Sequence, residues 1–378
     1  MRTLQISLAL SLCLLLASIT AACSKNSGGT SDATEAATGT SATTDTIAPS
    51  ELTGKVVVLC SRDEKFMTDL WSLVRTRHPG LDVVVSYGKD AGFLDRLRVE
   101  RDSPRVDLFL SKSSAGVESA AKDGLLQPIS ASLLERVPER FKSEDGQWIG
   151  LSARARIIVA RRMLASKPLS VLDLADSKWR GRVARTVATN SSFVGGVSSL
   201  IADHGGAATS EFLSGLHENT NNTGNIYPKH TPTVAAVAEG NADLALVNHY
   251  YFYRSVLGKE ALADADPNLA ERKVAEAPIV AIYPDADTTG VAWNVTGAGL
   301  VAGASNVDGA LAVLDVLLSS GGQKAYAWTN REYPVVEGVP SAPGVTPADQ
   351  FKWSATPLST LAGHQQGAVK LIQTLGMN

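Results

Sequence analysis

The chain has 378 residues, of which 35 are Lys or Arg and 38 are Asp or Glu, so its formal net charge at pH 7 is −3. A charge near zero without a basic cluster excludes a nucleic-acid-binding surface. The roughly 325 residues that follow the amino-terminal segments exceed the usual size of a single core, which predicts two lobes.

The amino terminus predicts a lipoprotein signal peptide. Arg2 is the one charge before an apolar stretch (4–19), and the sequence TAAC (20–23) follows it. A basic start, a short apolar core and small residues at a cut site are typical of secretory signals. We therefore predict that residues 1–22 are removed and that lipidated Cys23 anchors the chain to the cell membrane, at its periplasmic face or the cell surface. The alternative is an ordinary signal peptide with an incidental cysteine.

Residues 23–53 comprise Cys23 and a predicted disordered tether. Of the 27 residues from 24 to 50, 20 are Ser, Thr, Ala or Gly. This composition cannot offset the entropy of ordering, so the segment should not fold. Cys60 is then the single cysteine of the folded body, and its apolar surroundings (VVVLC) favour a core residue over a redox centre.

The folded body alternates predicted strands and helices, which indicates an α/β sheet. Two of the strands, 152–160 and 279–283, are placed to carry the chain between lobes, with 54–155 plus 281–331 in lobe 1 and 156–280 plus 332–378 in lobe 2. The other predicted strands are 55–60, 81–86, 106–110, 183–187 and 244–248. The predicted helices are 63–78, 90–102, 115–123, 192–204, 210–217, 233–239, 308–319, 322–328 and 358–375.

Two adjacent tyrosines, Tyr250 and Tyr251, close the apolar run LALV (244–247). Successive strand side chains point to opposite faces, so the pair fits a regular strand poorly. If the strand ends at Asn248, both rings can turn into the cleft that two lobes leave between them. Deprotonated phenols are hard anionic ligands, and a trivalent cation favours their deprotonation. Taken alone, the pair is more typical of packing aromatics.

Six stretches make residues 54–376 resemble the ferric-iron-binding solute receptors of ABC transporters, a branch of the type II periplasmic binding proteins. The most specific stretch is YPKHTPTVAAVAEGNADLALVNHYYFYR (227–254). The others are VVVLCSRDEKF (56–66), GLLQPIS (124–130), DGQWIGLSARARIIVA (145–160), SKWRGRV (177–183) and EYPVVEGVPSAPG (332–344).

The resemblance implies a two-lobed α/β fold of the type II periplasmic binding proteins, with each lobe a mainly parallel sheet flanked by helices. It implies Fe³⁺ in the interlobe cleft, held by the phenolates of Tyr250 and Tyr251 together with a synergistic anion, carbonate or phosphate. The family's first-strand loop often supplies one more ligand, and this loop carries Asp63 and Glu64 here. An acid at a helix start is also a common cap.

The same resemblance implies an anion site around a helix amino terminus. The family's anion-binding loop falls on Asn190, Ser191 and Ser192, where free N–H groups and the helix dipole favour an anion. Helix capping is the alternative role of these residues. His230 occupies a position near the anion where relatives carry Asn, and Asn248 falls on the Asn of the family's NxYY motif as a second-shell donor.

Several positions depart from the family pattern. Many relatives carry a third Tyr where this chain has Ala160, and a carboxylate or Arg within the segment that reads KSSAG here (112–116). Lys112 either pairs with the anion or is solvated. These departures leave open a cargo other than iron, such as another metal, an organic anion or a polyamine.

The function implied is therefore a solute-binding protein that captures ferric iron and delivers it to the permease of an ABC importer. We expect a monomer that touches the membrane through its lipid anchor only and that binds no nucleic acid. An enzyme is not expected, because GxSxG, HExxH, P-loop and catalytic Cys/His patterns are absent. We further expect Arg154 or Arg156 to form a salt bridge across the hinge, and Tyr253 and Arg254 to lie on an exposed helix surface.

Overall fold

A computed structural model describes residues 51–258 and 266–377. The predicted signal peptide, the anchor Cys23 and the tether up to residue 50 lie outside the described residues. Within the described part, no helix has the length and apolarity needed to cross a membrane.

The strands of the described residues form one sheet. In chain order they are β1 (Gly54–Cys60), β2 (Leu81–Tyr87), β3 (Leu108–Ser111), β4 (Leu126–Gln127), β5 (Trp148–Arg161), β6 (Val183–Thr186), β7 (Ile226–Tyr227), β8 (Leu244–Asn248), β9 (Ile279–Ile282) and β10 (Trp293–Val301).

The α-helices of the same residues flank the sheet. They are α1 (Thr68–Arg77), α2 (Asp90–Val99), α3 (Ser114–Lys122), α4 (Ala131–Leu134), α5 (Ser191–Thr220), α6 (His230–Ala238), α7 (His249–Leu257), α8 (Pro267–Glu276), α9 (Val307–Leu318), α10 (Ser320–Asn330), α11 (Leu358–Gly363) and α12 (Gln365–Thr374). Short 3₁₀ helices span Glu64–Phe66, Glu139–Phe141, Leu172–Ala175 and Ser177–Trp179.

The long strand β5 belongs to two halves of the sheet. Its residues up to Ala155 pair with β10, and its residues from Arg156 onward pair with β8. The strand order is β2-β1-β3-β10-β5-β8-β6-β7, with β4 beside β10 and β9 beside β5. We call β1 to β4, β10 and β5 up to Ala155 the first half-sheet, and β6 to β9 with the remainder of β5 the second half-sheet.

Parallel strands in each half-sheet bring helix starts together. In the second half-sheet, β6 runs parallel to β7 and β8. The helices α5, α6 and α7 follow these three strands in the chain. Because the carboxyl ends of parallel strands share one edge of a sheet, the amino termini of the three helices gather at that edge. The first half-sheet repeats this arrangement with β1, β2 and β3, followed by α1, α2 and α3.

Hydrophobic side chains cover the sheet in two clusters. The larger one includes Leu59, Phe109 and Val295, and the smaller one lies around Ile158 and Leu213 in the second half-sheet. Cys60 is fully buried in the larger cluster, and this burial raises the pKa of its thiol to about 11. The prediction that Cys60 is a core residue is confirmed.

Most of the predicted strands and helices are present in the structure, which also contains elements that were not predicted, namely β4, β7, β10, α4 and α8. The strand β10 was missed, because its sequence WNVTGAGLV contains two glycines, and glycine is not typical of a strand interior. A Cβ at Gly297 or Gly299 would lie within 2.7 Å of Val117 or Leu126 side-chain atoms, so glycine allows this close packing. The two helices predicted at 192–204 and 210–217 are confirmed as the two segments of α5, which are separated by a non-helical residue, Gly205 (φ +81°). The helix predicted at 358–375 is divided into α11 and α12.

Candidate metal centre

The tyrosine pair lies on the first turn of a helix, directly after a buried strand. β8 ends at Asn248, which is the condition under which both rings can turn into the cleft, and α7 begins at His249. The rings of Tyr250 and Tyr251 are half-buried, with centroids 4.4 Å apart and planes inclined by 41°. His249 points to the other side, where its ring stacks on Tyr333 at 4.4 Å and its Nδ1 accepts a hydrogen bond from the Ala155 amide. The two phenols therefore lie side by side, while the ring of His249 packs edge-on against that of Tyr250, with centroids 5.7 Å apart.

Asn248 connects the tyrosines to two other elements. Its Nδ2 donates to the Tyr250 hydroxyl at 3.2 Å and to Ser192 Oγ at 3.3 Å. Its Oδ1 accepts from Arg156 Nη1 at 3.3 Å. A donor to a phenol oxygen stabilises the phenolate, so Asn248 is placed to support metal binding by Tyr250.

The predicted anion loop divides into a capping residue and a residue at the site. Asn190 Oδ1 accepts from the Ser192 amide at 2.9 Å, which is a helix cap at the start of α5. The Ser192 hydroxyl is linked through Asn248 to Tyr250. Ser191 is the first residue of α5, where the dipole of the helix favours an anion. Helix capping and anion binding, the two roles considered from the sequence, are therefore compatible at the start of α5.

His230 is buried against the tyrosine pair. It is the first residue of α6, is 3% exposed, and its ring centroid lies 4.7 Å from that of Tyr251. Burial, together with the charges of Arg156 and Arg154, lowers the pKa of His230 to about 2. The imidazole is therefore neutral at every physiological pH.

Three arginines place positive charge around the phenols. Arg254 stacks on the rings of Tyr250 (4.5 Å) and Phe66 (4.3 Å). Burial lowers the pKa of Arg156 to about 10, which leaves it charged at neutral pH. Arg154 donates to the Lys112 carbonyl. In the described part of the chain, none of these three guanidinium groups forms an ion pair.

Two expectations about these neighbours were wrong. Neither Arg154 nor Arg156 makes the expected salt bridge, because both donate to uncharged oxygens instead. Tyr253 and Arg254 are not an exposed helix surface. Tyr253 is 1% exposed and donates to Thr346 Oγ1 at 2.8 Å. Arg254 could have been placed at the site from its spacing, since it lies three and four residues after the tyrosines on one helix face.

The phenol of Tyr251 is strongly biased toward its protonated form. Burial raises its pKa most, and the charge of Tyr250 and a hydrogen bond with it raise the pKa further, against Arg254 and Arg154. A bound cation would have to expel this proton, which only a strongly Lewis-acidic ion does readily at neutral pH.

The carboxylates predicted on the first-strand loop form no hydrogen bond or ion pair with the described residues of this cluster. Asp63 and Glu64 are exposed, and Asp63 makes no capping hydrogen bond to the 3₁₀ helix that follows it. Phe66 of the same loop stacks on Arg254, which in turn stacks on Tyr250. No group of three or more His, Cys, Asp and Glu side chains among the described residues could hold a metal. A ligand role for either acid therefore stays a prediction.

Ala160 lies away from the tyrosine pair, so the lack of a tyrosine at this position does not remove a ligand from the site. Arg156 pairs with Asn248 in the register of β5 and β8, whereas Ala160 pairs with Leu244 at the far end of β8. Arg156 and Ala160 are therefore about 13 Å apart along β5. Ala160 is fully buried in the smaller hydrophobic cluster, so a tyrosine there would pack in the core rather than beside Tyr250. Its absence does not weaken the tyrosine pair.

A buried ion pair near the site was missed from the sequence. Arg62 follows β1 and donates to both carboxylate oxygens of Glu332, at 2.9 and 3.1 Å. The hydroxyl of Ser152 on β5 donates to the same carboxylate at 2.5 Å. Burial by itself would raise the pKa of Glu332, but the charges of Arg62 and Arg154 and the hydrogen bonds from Arg62 and Ser152 together outweigh it, so the pKa lies below its usual value. The two partners are 270 residues apart, so no local pattern could reveal them.

The fold and the edge of helix amino termini define a class, the extracytoplasmic solute-binding proteins. The model of the family described as bacterial extracellular solute-binding protein matches residues 65–324, and the chain belongs to this family. Iron uptake protein A1 of Synechocystis is 33% identical over 306 residues, which cover 80% of this chain and 81% of that protein. The major ferric iron-binding protein of Neisseria meningitidis is 26% identical over 310 residues, covering 80% and 87% of the two chains.

A solved structure shares the fold. The Trichodesmium protein FutA (IdiA), in complex with iron and citrate ligands, is similar with a TM-score of 0.71 and 27% identity over 86% of this chain and all of that chain. These findings confirm the resemblance to the ferric-iron-binding receptors and the two-lobed α/β fold class.

Proposed function

We propose that this chain captures ferric iron at the edge of the second half-sheet, with Tyr250 and Tyr251 as its anionic ligands. The observation that carries the proposal is the pairing of two phenols, whose ring centroids are 4.4 Å apart. Asn248 donates a hydrogen bond to the hydroxyl of Tyr250. Phenolate oxygen is a hard ligand suited to a hard trivalent ion. The names of the relatives, which concern iron uptake and ferric iron binding, support the same cargo.

The charges around the pair support a synergistic anion as part of the cargo. Arg154, Arg156 and Arg254 surround the phenols without a carboxylate partner, and two phenolates would leave a positive excess. An anion such as carbonate or phosphate bound at the start of α5 would balance it. The FutA structure contains citrate, which is an anion like carbonate and phosphate.

The test is the ferric complex of the wild-type protein. Purified chain mixed with ferric citrate and passed over a desalting column should retain about one iron per protein, with a visible phenolate-to-iron charge-transfer band. Retention should fall when carbonate, phosphate and citrate are all removed from the buffer. A protein that emerges colourless and free of iron under all these conditions would reject the proposal.

The same three arginines also support a second candidate cargo, an organic anion. Three unpaired guanidinium groups also suit an organic anion without a metal. A thermal-shift series separates the two, because a true ligand stabilises the fold by mass action. Stabilisation by metal-free citrate or phosphate that does not increase on adding Fe³⁺ would favour the anion, whereas stabilisation that requires Fe³⁺ favours iron.

The cellular setting belongs to the same proposal. We infer a chain anchored by lipidated Cys23 outside the cytoplasm, acting as a monomer that delivers iron to the permease of an ABC importer. Membership of the extracellular solute-binding family supports the compartment and the importer. Cys23→Ala should release the protein from the membrane fraction, with mass spectrometry of the mature amino terminus as the direct check.

Closure of two lobes around the cargo completes the proposal. We place lobe 1 at 54–155 plus 281–331 and lobe 2 at 156–280 plus 332–378. The exchange of β5 from β10 to β8 between Ala155 and Arg156 supports the first boundary. A decrease in the radius of gyration on loading with iron, measured by small-angle X-ray scattering, would test closure.

A further inference from the structure

His230 is in direct contact with a proposed iron ligand. It starts α6 at the edge that also carries Ser192 and the tyrosines, and its ring lies 4.7 Å from the ring of Tyr251 with an inclination of 32°. The helices α6 and α7 follow the parallel strands β7 and β8, which fixes the two side chains on the same edge of the second half-sheet.

The imidazole of His230 has unmet bonding capacity. Both of its ring nitrogens are buried and lack a hydrogen-bond partner, a situation that no other histidine among the described residues shares. An unsatisfied buried polar group is costly, and native proteins rarely leave one without a bound ion or water. His249, one residue before the tyrosines, differs in that its Nδ1 is used by the Ala155 amide.

The contacts of His230 favour a metal as its partner. Its ring packs against the ring of Tyr251, a proposed iron ligand, and neither of its buried nitrogens has a hydrogen-bond partner among the described residues. The lone pair of an imidazole nitrogen is a ligand that iron accepts readily.

We propose that His230 coordinates, through a ring nitrogen, the same iron that Tyr250 and Tyr251 hold. The inference rests on the proposed function and adds a nitrogen donor to its oxygen ligands. It also supplies a third protein ligand from the second half-sheet alone, without a carboxylate from the first.

The mixed nitrogen and oxygen donor set has a consequence for metal choice. Imidazole suits Cu²⁺ as well as iron, and Cu²⁺ stands highest among the divalent first-row ions in general affinity. His230→Asn should therefore weaken Cu²⁺ binding more than it weakens Fe³⁺ binding, since the hard phenolates remain for the ferric ion.

Pulsed electron paramagnetic resonance of the ferric-loaded protein tests the coordination. The wild-type protein, with natural and with ¹⁵N-labelled histidine, should show the modulation of a coordinated imidazole nitrogen, changed by the label. His230→Asn should lose this modulation while keeping its charge-transfer colour. His364→Asn, the same change at a partly exposed histidine between α11 and α12, should retain it. Ferric affinity in His230→Asn should fall at least about tenfold, the low end of the cost of losing even an outer-shell partner.

The outcomes separate the two proposals. A coloured wild-type complex without imidazole modulation would overturn the role of His230 and leave the tyrosine site intact. Modulation that persists in His230→Asn would overturn it equally. A wild-type protein that retains no iron would overturn both. The wild-type measurement needs no variant, so it decides the question even where His230→Asn does not fold.

Discussion

The two half-sheets present different chemistry at the edges where their parallel strands end. At the second edge lie uncharged donors, half-buried or buried. Tyr251 contacts both Tyr250 and His230, and Ser192 is linked to Tyr250 through Asn248. At the first edge lie charged groups, Arg62, Asp63 and Glu64, of which Arg62 is committed to a buried ion pair and the two acids are exposed. The second half therefore combines the proposed iron ligands with arginines that form no ion pair among the described residues, Arg156 and Arg254, whereas the buried charge of the first half is neutralised by Glu332.

Removing both phenol hydroxyls from the second edge should give the largest loss of ferric affinity. Tyr250→Phe with Tyr251→Phe deletes both anionic ligands, so ferric affinity should fall by about 1,000-fold or more, beyond the range for an outer-shell partner. The charge-transfer band should disappear, as measured by absorbance and by competition with citrate. Tyr87→Phe is the matched control in the first half-sheet, where the hydroxyl accepts from Trp71 Nε1 at 2.9 Å. Equal losses in the two variants would contradict the assignment of the ligands to the second edge.

Breaking the buried ion pair should show that Arg62 is structural. Glu332→Ala leaves the Arg62 guanidinium buried without its partner, which should lower the free energy of unfolding by about 3–5 kcal/mol. Because the pKa of Glu332 lies below its usual value, this stabilisation is present at neutral pH and is lost as the pH falls through the folded-state pKa. Urea denaturation at pH 7 and at acid pH measures both effects.

The exposed pair Arg180–Glu218 gives the control for the buried one. Its side chains are 63% and 62% exposed, so Glu218→Ala should cost less than about 1 kcal/mol. A double replacement of Arg62 and Glu332 by apolar residues should recover most of the loss. Failure to recover any of it would indicate that the pair does more than balance buried charge.

Acidification should release iron, because the ligands must lose protons to bind. The raised pKa of Tyr251 means that protons compete strongly for this phenol, and two phenolates form per iron bound. Affinity should therefore fall by up to about 100-fold per pH unit as the pH decreases. The intensity of the charge-transfer band between pH 8 and pH 5, at fixed citrate, measures the slope. A band that stays constant over this range would argue against phenolate ligands.

The smallest expected effect concerns the acids of the first edge. Asp63→Asn with Glu64→Gln removes the one carboxylate ligand that the first half-sheet was predicted to supply, and affinity should fall by about tenfold. The matched control, Glu51→Gln with Asp82→Asn, neutralises two other exposed acids of that part of the chain and should leave affinity unchanged. No difference between the two variants would assign every protein ligand to the second half-sheet.

The sequence predicted the elements better than it predicted their neighbours. The alternation of apolar runs identified most strands within two residues of their bounds, since the period of a strand is a local property. The glycine-containing β10 escaped because its packing requirement comes from Val117 and Leu126, far away in the chain. The tyrosine pair was predicted as a ligand pair through the resemblance of its surrounding stretch (227–254) to the receptor family, and the structure shows Asn248 in contact with Tyr250.

The sequence pattern was therefore sufficient to predict the α/β class and an apolar strand followed by a pair of phenols. The contacts that the pair makes depend on tertiary packing. Arg156 and Asn248 are 92 residues apart, and strand pairing brings them into contact. The same register removes Ala160 from the site, and helix packing places Arg254 and His230 on the tyrosine rings. The physical reason is that side-chain periodicity acts over a few residues, whereas strand order and register depend on burial across the whole body.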